Sequence, residues 1–510
     1  MALEAERELS HGTAQADSSQ PRHILELVKQ TMVYGLSGVA LQVVGVITLP
    51  ILARVFTPAE YGRLELASVL LAAGLALADF GFASAAQRSF FDYSSGEPGA
   101  RRIVISTALF TTTIIGILVA VVLILVRDPA SRLLFGHAPG APLVVTVAIA
   151  IPLVNTATFI REAMRLRFRA WQYVASSALA SVVAGALGIL GVVGFNLHVR
   201  GIFVGIIVGN LLAAAYGAVV LRRDISRHFS SHELRPMLKY GAPLIVVAVA
   251  MWALTLVDRI MLRDLGSLPD VGEYAVANRV ANVLLLGVTG FALAFGPYIF
   301  SIYSEDRDLE RAVRAQALRY LTIGLTTIGL VLALFAREII AIVAPAFGQA
   351  YEVVGLLVLA VVSFGISSVA MAGVSYARRT DVLAGITLSA AALNIGLNFI
   401  LIPPFGMVGA ALANLSAYLL LAALYYVVAQ RMYPTPYELG KLLTITGLAS
   451  AFGILGVVPI HPLAADMVAK AAALFAFIVL LRTTGVVESA EINRLRELLG
   501  SAWRIATQRA

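Results

Sequence analysis

Runs of about twenty predominantly apolar residues recur along nearly the whole of this 510-residue chain. Wound as a helix rising about 1.5 Å per residue, such a run crosses a hydrocarbon core of about 30 Å. Lipid offers no partner to an unpaired N–H or C=O, so each run must satisfy its backbone internally. The runs are too long and too uniformly apolar for barrel strands, which leaves helices. Composition agrees: 59 % of residues are hydrophobic and 13 % charged, with a mean hydropathy of +0.87. A soluble domain carries roughly 25 % charged residues. The expectation is an all-α integral membrane protein.

Fourteen spans are predicted, at 32–53, 64–86, 103–126, 141–160, 171–195, 201–221 and 241–262, then 274–301, 317–336, 351–376, 382–402, 407–428, 439–458 and 463–481. With the N-terminus inside, the short inner loops carry 19 Lys and Arg and the outer loops 8. Positive charge is retained on the cytoplasmic side, so both termini are expected there. The same bias accounts for the net charge of +8 without nucleic acid. The first 23 residues lack the apolar core of a signal peptide, which makes 1–30 a polar cytoplasmic tail. Near the other end, Ile492, Leu495, Leu499, Trp503 and Ala506 fall at helical spacing with Arg opposite, the pattern of an amphipathic helix on the inner leaflet.

The chain also repeats. Tyr34-Gly35 matches Tyr240-Gly241 at an offset of 206, and Glu60-Tyr61 matches Glu273-Tyr274 at 213. Gly201, Gly205 and Asn210 are echoed by Gly406, Gly409 and Asn414 about 205 later. Each unit holds six spans, an even number, so the copies share an orientation and relate by an axis along the membrane normal. The predicted organisation is a tail (1–30), two six-helix bundles around a central cavity (31–235 and 236–432), two additional helices (433–484) and an amphipathic cytoplasmic tail (485–510).

Several chemistries are excluded. With no Cys there are no disulfides, thiolate metal sites or thiol nucleophiles. No Gly-x4-Gly-Lys-Ser/Thr loop is present for ATP. His228 and His232 have metal-like spacing but no third ligand nearby, so neither metal nor cofactor is expected. No outer loop is long enough for a glycosyltransferase, polymerase or ligase centre, so the chain reads as a transporter rather than an enzyme.

LPILARVFTPAEYGRLELA (49–67), ADFGFASAAQRSF (78–90), VDRIMLRDLGSLPDVGEYAVANRVANVLL (257–285), AFGQAYEVVGLLVLA (346–360) and LNIGLNFILIPPFGMVGAALAN (393–414) together resemble the polysaccharide flippases. These are the O-antigen and exopolysaccharide transporters of the multidrug/oligosaccharidyl-lipid/polysaccharide exporter superfamily. The resemblance implies two six-span bundles flanking a cavity in the bacterial cytoplasmic (inner) membrane. It also implies a cargo: an oligosaccharide repeat unit on undecaprenyl pyrophosphate, moved from the inner to the outer leaflet by alternating access. Membrane lipids and other polysaccharide-assembly membrane proteins are the expected partners, and a monomer the expected state.

An ionisable residue inside a span costs roughly 2.5–3.5 kcal/mol on insertion scales, so each needs a reason. Arg54, Arg259, Arg263 and Arg279 fall on the first, seventh and eighth spans, which face one another across the duplicated halves. A guanidinium stays charged and grips phosphate oxygens bidentately, so these four are candidate substrate-binding residues. The competing readings are snorkelling of Arg54 and Arg263 to headgroups and neutralisation of Arg259 by Asp258 or Asp264. Asn278, Asn282, Asn394 and Asn398 pair at i, i+4 and could bond sugar hydroxyls or glue helices. Asp79, Arg88 and Asp258 are candidate gate or coupling residues; Asp79 alternatively bonds the backbone at the Gly81 break. The rival function is a cation-coupled multidrug or other small-molecule antiporter, which would need acidic residues in the cavity, and the first span holds none.

Overall fold

The computed structural model describes residues 45, 47–93, 97–136, 140–376, 380–458 and 460–486. The predicted tail 1–30, most of the first span and the amphipathic helix beyond 486 lie outside the described residues. Within them the chain is helical and contains no strand. Ten helices are long and apolar enough to cross a membrane. An eleventh is the pair Leu268–Ala281 and Leu284–Ala292, bent by 45°. This is a multi-pass membrane protein.

After helical residues 47–55, the first half comprises α1 (Pro58–Asp79), α2 (Phe82–Asp92), α3 (Pro98–Leu125), α4 (Arg127–Phe135), α5 (Ala141–Leu166), α6 (Ala170–Val193) and α7 (His198–Val220). The second half comprises α8 (Ser231–Leu265), α9 (Leu268–Ala281), α10 (Leu284–Glu305), α11 (Arg307–Leu334), α12 (Ala336–Val343), α13 (Tyr351–Tyr376) and α14 (Thr380–Met432). α15 (Leu439–Gly453) and α16 (Leu463–Thr483) follow. Every predicted span from the second to the fourteenth falls on these helices. Spans eleven and twelve share α14, which breaks at Gly406 (φ 54°, ψ −131°), just after Pro403 and Pro404. Proline removes a helical donor there, and glycine accepts the left-handed turn.

The helices repeat at one register. α3 and α11 both have 28 residues and start 209 apart; α5 and α13 both have 26 and start 210 apart. The short helices α4 and α12, which hydropathy does not reveal, also start 209 apart. Helix caps set the same correspondence. The Thr57 hydroxyl accepts from the Glu60 amide, and 210 residues later the Ser267 hydroxyl accepts from the Asp270 amide. Glu60 therefore corresponds to Asp270. The sequence pairing of Glu60-Tyr61 with Glu273-Tyr274 is three residues out of register, because a dipeptide match ignores the cap that starts the helix.

This register exposes a reciprocal interface. A Cβ on Gly62 would overlap the Leu268 carbonyl oxygen, and a Cβ on Gly272 would overlap that of Pro58. The starts of α1 and α9 thus meet backbone to backbone, as small residues permit between membrane helices. Arg54 Nη2 donates to the Ile342 carbonyl of α12 at 3.2 Å, and Arg263 Nη1 to the Leu133 carbonyl of α4 at 2.7 Å. Arg54 and Arg263 are 209 apart, as are Leu133 and Ile342. Each half lays an arginine on the last turn of the other half's short helix, where the dipole favours a cation. Within each half, Gly201 packs on Gly191 and Gly409 on Leu401, closing the hairpins that end the two repeats.

α15 and α16 are fastened to the second half by charge as well as by packing. Lys470 on α16, 1 % exposed, donates to Glu338 of α12 at 2.7 Å and lies 2.8 Å from Asp466. Lys470→Met leaves the buried Asp466 and the half-buried Glu338 without their cation, a loss of up to about 3–5 kcal/mol where a partner of a buried pair is removed. The expected result is a lower melting temperature in detergent, recovered in part by Asp466→Asn in the same chain.

Candidate functional site

α1, α8, α9 and α14 converge midway between the two halves. α1 contributes Tyr61 and Glu65, one turn apart and so on one face. α8 contributes Asp258 and Arg259, 0 % and 3 % exposed. Arg259 Nη1 donates to Asp258 Oδ1 at 2.6 Å and to the Thr255 carbonyl, and its Nε lies 3.4 Å from Glu65 Oε1 across the interface. The other Asp258 oxygen accepts from the Tyr274 hydroxyl at 2.6 Å and from Asn414 Nδ2 at 3.3 Å. The Arg259 guanidinium also lies 5.3 Å over the Tyr274 ring. A buried cation is affordable only when matched and hydrogen-bonded in this way.

Arg279, near the end of α9, is placed differently. Its guanidinium lies 5.4 Å over the ring of Tyr61. Among the described residues no carboxylate oxygen comes within 4.0 Å of it. With Asn282 it lines a cavity of ≈ 390 Å³ whose other walls are apolar, formed by Leu49 and Pro50 of the first span with Leu286, Leu332 and Val343. One fixed positive group in an apolar cleft between two helical bundles is the arrangement expected of a site for an amphipathic anion.

The remaining candidates lie elsewhere. Arg54 and Arg263 form the reciprocal clasps, and Arg263 also binds Asp264. Asn278 is half-buried one turn before Asn282 but does not line the cavity. Asn394 and Asn398 are fully buried in α14 and bond each other at 3.0 Å, away from the cavity. Asp79 ends α1 where Phe80 and Gly81 turn left-handed (φ 48° and 70°), with the Gly81 and Ala83 amides facing its carboxylate. Arg88 lies 5.0 Å over Tyr240, joining α2 to the start of α8 at the far end of the molecule. Trp252 donates to the Val69 carbonyl at 3.3 Å, another tie between halves.

Glu65 escaped the sequence reading. It falls inside the predicted second span, so the criterion that singled out Asp79, a carboxylate within an apolar run, also selects it. Tyr61 carried no such signal, since an aromatic residue near a span end is ordinary.

The sequence profile of the family described as polysaccharide biosynthesis protein matches residues 27–303, just over half of the chain. "Lsg locus putative protein 1" of Haemophilus influenzae is 22 % identical over 302 residues, covering 58 % of this chain and 71 % of that protein. Among solved structures, a "Lipid II flippase MurJ, inward closed conformation" superposes with a TM-score of 0.70 at 13 % identity, over 89 % of this chain and 99 % of that one. An inward-facing multidrug resistance MATE family transporter of the MOP superfamily gives 0.62 at 15 % identity, over 76 % and 94 %. At these identities the likeness is one of fold.

Proposed function

The chain belongs to the polysaccharide biosynthesis protein family, and from that premise we propose that it is a flippase for an anionic lipid-linked oligosaccharide, with a polyprenyl pyrophosphate as the group it recognises. Arg279 carries the reading: it is the cation of the inter-half cavity with no carboxylate within reach among the described residues. A pyrophosphate there gains a bidentate partner, and competes with Glu65 for Arg259. The isoprenoid tail remains in lipid beside the apolar walls. Rocking of one half against the other then moves the site between membrane faces.

Membership of the family supports a bacterial cytoplasmic membrane setting with both termini inside. In that orientation an anion leaving a negative cytoplasm gains roughly 2.3 kcal/mol per charge per 100 mV, which supplies a drive without ATP.

Glu65 favours a second reading, a cation-coupled antiporter, because it places an acidic side chain between the halves. The two readings separate on Arg279. Complementation of a flippase-deficient strain should lose surface polysaccharide by about tenfold or more in Arg279→Ala, the equivalent of ~1.4 kcal/mol. Arg279→Lys, which keeps charge without the fork, should retain part of the export. Full export by Arg279→Ala at wild-type expression overturns the flippase site. Cation-driven drug efflux that depends on Glu65 would establish the second reading instead.

A further inference from the structure

A second cavity, of ≈ 420 Å³, opens in the first half behind the reciprocal interface and does not include any residue of the inter-half site. Its walls carry Arg63, Arg200, His198 and Glu60. The Glu60 carboxylate is already occupied: it accepts from the Thr57 amide at 3.1 Å and the Thr57 hydroxyl at 3.2 Å, and lies 3.2 Å from His198 Nδ1. Arg63 and Arg200 have no ion pair or side-chain hydrogen bond among the described residues. Two helices also begin at this cavity. α5 starts behind Gly140 and α7 behind Leu197, and neither first turn has a side-chain cap. Two exposed guanidiniums beside two uncapped helix starts outweigh the one carboxylate and leave the pocket net positive.

The duplication offers a comparison within the molecule. His198 holds a left-handed backbone (φ 47°) where the second half, 208 residues on, has Gly406 (φ 54°). A residue with a Cβ pays a strain there that glycine avoids. In place of Arg63 the second half has Glu273, 210 residues on, and in place of Arg200 it has Val408, 208 on. The shared backbone therefore does not need these cations.

We infer that this cavity is a second binding site for a lipid-borne phosphate or pyrophosphate, gripped by Arg63 and Arg200. The inference rests on the flippase reading only for the source of the anion, the cargo headgroup. Arg63 and Tyr61 lie on the same α1 turn: Tyr61 is fully buried beneath the Arg279 guanidinium, whereas Arg63 is exposed and lines the second cavity. A headgroup released from Arg279 when the halves part would meet Arg63 and Arg200 next.

The test is native mass spectrometry of the full chain in phosphatidylcholine nanodiscs, with farnesyl diphosphate as the probe. Wild type should hold two equivalents. Arg63→Ala/Arg200→Ala should hold one, its fold checked by an unchanged melting temperature, and Arg63→Lys/Arg200→Lys should regain the second. Arg279→Ala should also hold one, and the triple variant none. Two equivalents in the Arg63→Ala/Arg200→Ala protein overturn the inference. Displacement of the Arg63/Arg200 equivalent by an equal concentration of phosphatidylglycerol assigns the pocket to bulk lipid headgroups and overturns the role in cargo handover. Loss confined to the Arg63/Arg200 variant, with Arg279→Ala unaffected, upholds this pocket and removes Arg279 from the flippase site.

Discussion

Gly272→Ala is expected to hold the two halves apart at the end where α1 and α9 meet. The added Cβ falls on the carbonyl oxygen of Pro58, a backbone atom that no rotamer change can move. Closure at that end would require α9 to withdraw along its whole first turn, with loss of the reciprocal Gly62 contact to Leu268. Under the rocking mechanism proposed above, the state closed at that end would then be populated far less. Export should fall by about tenfold or more even though no ligand-facing group has changed, the effect of ~1.4 kcal/mol between the two states. Because the chain contains no cysteine, Ala59→Cys is its sole thiol and reports directly on this end. Labelling by a membrane-impermeant maleimide should be slow in the otherwise native chain and faster with Gly272→Ala. Equal labelling rates with undiminished export would show that the two helices part by another route.

The second large effect is on stability. Asp258 is fully buried and holds Arg259, Tyr274 and Asn414 together. Asp258→Ala leaves the Arg259 cation, 3 % exposed, with Glu65 at 3.4 Å as its remaining carboxylate. Removing one partner of a buried ion pair costs about 3–5 kcal/mol, well above the ~0.6 kcal/mol average of a hydrogen bond between membrane helices. The expected result is a markedly lower melting temperature in detergent and reduced yield. Asp258→Asn/Arg259→Met, which removes both charges, should recover most of the loss, and this non-additivity distinguishes a charge effect from a cavity. A double variant no more stable than Asp258→Ala would mean that shape, rather than charge pairing, holds the network.

Hydropathy located the second to fourteenth spans, since lipid imposes the same demand on every apolar run. It did not reveal α4 and α12, which are too short to cross a membrane, although they receive the arginine clasps. The arginines themselves were legible as costly residues on facing spans, but their uses were not. Arg54, Arg259, Arg263 and Arg279 are equivalent by composition. Arg259 meets Asp258 and Glu65, Arg54 and Arg263 meet carbonyls of the opposite half, and Arg279 faces an apolar cavity. The partners come from elements up to 288 residues away along the chain.

The sequence by itself determined that this chain is a bundle of membrane helices, because hydrocarbon offers no partner to the polar backbone of a long apolar run, and its repeated motifs marked the duplication. The tertiary structure alone decided which of its buried charges are matched and which one lines an apolar cavity. Matching depends on distances of about 3 Å between helices far apart in sequence, and no local pattern carries that information.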